Sequence, residues 1–222
     1  MGPDAANRRT RDLLEIAVGY TLILLVIWTP RPWQSLLYWV AIVFLATVLW
    51  LSFEGHENMG LRTANLARSA WVVGVAALIA AAAILIAHQK HTLNLPNGTL
   101  AFLRRYWGYS IWAFAQQILL QDFFLSRFQR LIPSTGLAAL AAGLTFSLAH
   151  LPNPILTILT LVWGFAACLL FLYYRNLYPL AIAHAILGVT IAITLAGPLI
   201  RNMRVGLGYY TYAQHRGNHR IR

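Results

Sequence analysis

Three amides and two imidazoles stand out in a chain that is otherwise apolar. Gln116, Gln117 and Gln121 lie with Asp122 in the stretch AFAQQILLQDFF, residues 113–124, and His150 and His184 close the apolar runs FSLAH and AIAH. An amide in hydrocarbon costs several kcal/mol unless it finds hydrogen-bond partners, so polar side chains at that depth face a bundle interior or a wet cavity. On an α-helix Gln117 and Gln121, four residues apart, share a face, with Gln116 close beside them. An amide positions a water but cannot take its proton near neutral pH, whereas an imidazole can. Together the five groups could form one polar cluster within the bundle. Singly they read more plainly: one glutamine between helices is ordinarily interhelical glue, and one histidine on an apolar face is ordinarily a satisfied core residue. Asp122 follows Gln117 by five residues, which turns it away from the shared face, and it is read as pairing with Arg127 or Arg130 near the interface. His56, His88, His91, His215 and His219 fall in loops or the tail and are read as solvated.

The elements that must position these residues are membrane helices. Of 222 residues 59% are hydrophobic and only 10% charged, and the mean hydropathy is +0.61. That composition excludes an ordinary soluble domain and predicts an all-α, polytopic transmembrane helix bundle of about seven spanning helices. The expected apolar segments are residues 12–29, 33–53, 70–87, 105–128, 137–151, 155–174 and 179–200, broken by PRPW, by the polar stretches EGHENMGLRTANLARSA and HQKHTLNLPNGT, and by IPSTG, LPNP and RNLYP. The first run is too long for a signal peptide and lacks a small-residue cleavage site, so it is taken as a span. The chain is divided into N-terminal transmembrane helices (1–99), a core carrying the polar residues (100–200) and a basic C-terminal tail (201–222).

Charge and cysteine usage bound the partners. The formal charge of +11 comes from 17 Lys and Arg against 6 Asp and Glu. Arginines gather at Arg8, Arg9 and Arg11 and again at Arg201, Arg204, Arg216, Arg220 and Arg222, a distribution suited to a lipid bilayer with anionic headgroups. Nucleic acid is excluded as a partner, because no basic residues interleave with aromatics on a soluble module. Basic residues are nearly balanced between the two sides of an alternating arrangement, so they do not fix orientation. Cys168 is a lone cysteine in an apolar run, which rules out an intramolecular disulfide framework and a cysteine metal site. Two histidines without a carboxylate make a poor zinc site, so no metal and no cofactor are expected. Short loops without disulfides fit an integral protein of a bacterial inner membrane.

The order of these features resembles the CPBP family, the CAAX proteases and bacteriocin-processing enzymes, also described as the CAAX prenyl protease 2 or lysostaphin-resistance type. Its pattern is EExxxR, then FxxxH, then HxxxN or HxxxD on successive helices. QQILLQD falls where the family has its Glu pair and Arg, FSLAHLPNP carries Phe146 and His150, and YYRNLYPLAIAHAILG carries His184, a likeness over roughly residues 100–192. The resemblance implies that Gln116 and Gln117 take the Glu places, Gln121 the Arg place and Gly188 the Asn or Asp place, with Phe146, His150 and His184 matching. Four of the seven positions thus depart from the pattern, which bears on catalysis rather than on fold. Changing both glutamates and their arginine together removes a buried ionic cluster as a set and leaves no orphan charge. The resemblance implies an intramembrane endopeptidase cleaving a membrane-tethered or lipidated peptide. His150 is then the best remaining base, His184 an oxyanion donor, and a glutamine orients the water. The alternative is an inactive relative that uses the same polar residues for binding, as an immunity or scaffold protein.

Overall fold

The computed structural model describes residues 3–195 and 197–218, and the side chains of 6–195 and 197–212. Met1, Gly2, Ala196 and residues 219–222, with tail arginines Arg220 and Arg222, lie outside the described residues, as does the side chain of Arg216. Among the described residues every regular element is helical. In chain order they are α1 (Pro3–Trp28), α2 (Trp33–Leu51), α3 (Leu66–Ser69), α4 (Trp71–Gln89), α5 (Thr99–Ile118), a π-helical segment (Leu119–Leu125), α6 (Ser126–Leu131), α7 (Thr135–Leu148), α8 (Pro154–Tyr174), α9 (Leu177–Thr194), a short 3₁₀ turn (Arg201–Met203) and α10 (Gly206–Asn218).

The expected all-helical membrane bundle is what the chain forms. Four stretches are long and apolar enough to cross a bilayer by themselves: Trp33–Leu51, Leu66–Gln89, Pro154–Tyr174 and Leu177–Thr194. The other expected segments differ for legible reasons. α1 begins inside the charged leader and carries Asp12 and Glu15, α5 carries Arg104 and Arg105, and α7 has only 14 residues. The helix expected over 105–128 runs from Thr99 to Leu131 but passes through the π segment, whose bonds close one residue later than those of an α-helix. The four-residue arithmetic that put Gln117 and Gln121 on one face therefore does not carry across Leu119.

The chain forms two compact units. The first comprises residues 1–53, 120–168 and 204–222. Here α1 packs against α2, α6 and α10, and α6 against α7. Arg127 and Arg130 find carboxylate partners on α1. Arg127 Nε donates to Glu15 Oε2 at 2.7 Å, and Arg130 grips Asp12 with two bonds of 2.9 and 2.7 Å. Arg127 is fully buried; its Nη1 also donates to the backbone carbonyls of Asp122 and Phe123, and its guanidinium lies 4.3 Å from the Phe123 ring centre. The ion pairs thus differ from the expected pairing with Asp122: α1 supplies the carboxylates, and Asp122 gives Arg127 its backbone oxygen. Gly143 on α7 lets α8 approach so closely that an added Cβ would lie 2.9 Å from the Phe165 nitrogen.

The second unit comprises residues 54–119 and 169–203. Its centre is α9, packed against α4 and α5. α4 presents Val72, Ala76, Ala80 and Ala87 as its buried residues, and α9 buries Ala181, Ala183 and Gly188. Small side chains let helix backbones approach, which is how helices associate where lipid removes the hydrophobic drive.

Candidate functional site

The helix that carries His184 is fixed at its start by Asn176. The Asn176 side chain accepts from Tyr178 N at 3.1 Å, capping α9, and its Nδ2 donates to Arg62 O at 3.0 Å. Arg62 in turn donates to the Tyr174 and Arg175 carbonyls at the end of α8, and Asn65 also donates to Tyr174 O. A cation on the last carbonyls of a helix satisfies orphan acceptors and opposes the negative end of its dipole. The polar loop after Phe53 therefore clamps the RNLYP turn, and the turn sets the start of α9.

Eight residues into α9, His184 meets Gln117 of α5. Gln117 Nε2 and His184 Nδ1 stand 3.1 Å apart, and both side chains are buried. An amide nitrogen only donates, so Nδ1 accepts, and the neutral ring carries its proton on Nε2. A carboxylate in the place of Gln117 would accept from Nδ1–H and leave Nε2 as the lone pair. The glutamine thus turns His184 from a base into a hydrogen-bond donor.

One turn further along α9, Gly188 is buried against Tyr109 of α5; a Cβ at 188 would overlap the Tyr109 hydroxyl and the end of its ring. Tyr109, Ala113 and Gln117 follow at four-residue steps and so line one face of α5. Gln116, beside Gln117, is half-buried. The structure therefore brings together Gln117 with His184 and Tyr109 with Gly188, all within the second unit.

The remaining sequence-predicted residues lie in the first unit. His150 follows the end of α7, and its Nδ1 donates to Phe146 O at 2.9 Å, which leaves Nε2 of the neutral ring as the basic lone pair. The Phe146 ring packs edge-on against the imidazole with centroids 5.0 Å apart. Asn153 secures the turn that follows: its Oδ1 accepts from Leu156 N, its Nδ2 donates to Arg204 O, and Pro154 starts α8 at the position where a missing N–H loses nothing. Gln121 is buried within the π segment. Asn153, Asn176 and Tyr109 were not among the residues expected at the site. The first two are signalled by N–P and R–N turn dipeptides ahead of apolar runs, the third only by its spacing of eight from Gln117. Among the described residues no three of His, Cys, Asp and Glu gather as metal ligands would.

Residues 98–190 match the family described as type II CAAX prenyl endopeptidase Rce1-like. Over this segment, which is under half of the chain, the protein is similar to that family. The match covers α5 through most of α9, and with it Gln116, Gln117, Gln121, Phe146, His150, His184 and Gly188. The chain's four apolar helices of membrane-spanning length, together with this likeness to a family of membrane endopeptidases, support an integral membrane protein. No curated protein and no solved structure matches the chain significantly.

Proposed function

We propose that the protein is an intramembrane endopeptidase that hydrolyses a prenylated or otherwise membrane-tethered peptide near its C-terminus. The observation that carries this reading is the buried Gln117–His184 pair inside the Rce1-like segment, because it leaves His184 with Nε2–H as a donor for a developing oxyanion. The family resemblance assigns the role of proton acceptor to His150, whose Nε2 carries the basic lone pair. Water adds its oxygen to the scissile carbonyl carbon and gives one proton to His150. The C–N bond then breaks as that proton passes to the leaving nitrogen. By the same resemblance the glutamines orient the water; within the first unit Phe146 packs on the His150 ring, and within the second Gly188 admits the close approach of Tyr109. The products are a shortened carboxylate and a free amine, with no net gain or loss of protons by the protein.

A second reading is a non-catalytic relative that binds such a peptide, and the replacement of the carboxylate at position 117 by an amide favours it. The two are separated by reconstituting the purified protein in liposomes with farnesylated and unmodified peptides. Cleavage of a farnesylated peptide that His150→Ala abolishes is the expected result. Cleavage that survives His150→Ala rejects His150 as the base, and saturable binding with no cleavage rejects the peptidase reading.

A further inference from the structure

We propose that the Tyr109 hydroxyl is the hydrogen-bond donor that replaces a side chain at position 188, so that the peptide carbonyl is held by donors from two helices, Tyr109 on α5 and His184 on α9. The substrate class rests on the peptidase reading above; the placement of the phenol does not. Along α9, His184 and Gly188 are one turn apart, a rise of about 6 Å. Along α5, Tyr109 and Gln117 are two turns apart on the same face, separated by the wholly buried Ala113. The two helices thus meet in two contacts, one where an amide donates to the imidazole and one where the phenol fills the space in which a Cβ at position 188 would lie.

That second contact is selective. Any residue larger than glycine at 188 collides with the Tyr109 hydroxyl and ring, so the phenol and a side chain at 188 exclude each other. Position 188 has not simply lost a donor; the hydroxyl that occupies its volume is itself one, and a phenol O–H donates as well as an amide N–H. As a residue Tyr109 keeps part of its surface exposed whereas Gln117 is fully buried, while the phenol oxygen itself lies at the α9 seam against Gly188. Ring packing alone would serve equally well with phenylalanine, and this separates a donor from a filler.

The deciding measurement is binding of a farnesylated peptide phosphinate, whose tetrahedral oxygens mimic the oxyanion, to the full-length protein in nanodiscs. Tyr109→Phe should weaken binding by about tenfold or more while leaving thermal unfolding unchanged. On a cleaved peptide the same variant should lower kcat with KM unaltered. Gly188→Asn should lower the unfolding temperature, and Tyr109→Ala combined with Gly188→Asn should recover both stability and phosphinate affinity relative to Tyr109→Ala alone. Phosphinate affinity of Tyr109→Phe within about twofold of wild type, or a double variant no better than Tyr109→Ala, overturns the proposal. If the protein binds the phosphinate through Tyr109 yet cleaves nothing, the peptidase reading falls and the donor assignment stands.

Discussion

At position 117 an amide donates to His184 Nδ1 where a carboxylate would accept from it, and so sets the proton position on His184. Gln117→Glu should therefore act as a gain of function. The carboxylate accepts from Nδ1–H, frees Nε2 as a second base, and is expected to raise the cleavage rate of a farnesylated peptide by about tenfold or more. Assays of wild type and variant side by side check this, and a slower variant would show that the His184 donor outweighs an added base. Gln117 and His184 were legible in the sequence because an amide and an imidazole contrast with an apolar background. Tyr109 was not, because a tyrosine in a membrane helix is ordinary, and only its approach to a glycine 79 residues later gives it a role.

Helix ends and helix pairs carry the next set of expectations. Asn176→Ala removes the cap of α9 and the tie to Arg62, and should lower stability by about 1–2 kcal/mol, read as a lower unfolding temperature in detergent. Asn176→Asp keeps the capping oxygen and should fall between wild type and alanine. On α1, Glu15→Ala leaves the buried Arg127 cation without its carboxylate and should destabilise by about 3–5 kcal/mol. Adding Arg127→Met should return most of that loss, since the charge and its partner then leave together. Helix positions were readable from apolar runs and proline turns, and the structure keeps them to within a few residues except at three ends: α1 begins earlier, at Pro3, α5 begins earlier, at Thr99, and α9 stops short, at Thr194. The ion pairs were not readable. Sequence proximity pointed Arg127 and Arg130 at Asp122, while their partners sit 112 and 118 residues away on α1. The π segment likewise leaves no mark in composition.

Across the whole molecule, large apolar side chains such as Trp39, Val43, Leu78 and Ile158 lie exposed, as expected where lipid replaces water as solvent. The protein should stay with membranes through an alkaline carbonate wash and leave them only with detergent. Cys168 is the single cysteine and is fully buried, so maleimide labelling in mild detergent should be slow and become rapid on unfolding. Fast labelling of the folded protein would contradict the packing of α8. The seam between α5 and α9 also has a bearing on ancestry. Because Tyr109 occupies the volume that a side chain at position 188 would need, position 188 cannot gain bulk unless position 109 gives it up. Homologues that carry Asn or Asp at position 188 should have a smaller residue at position 109, a paired trace that a comparison of related genomes would expose.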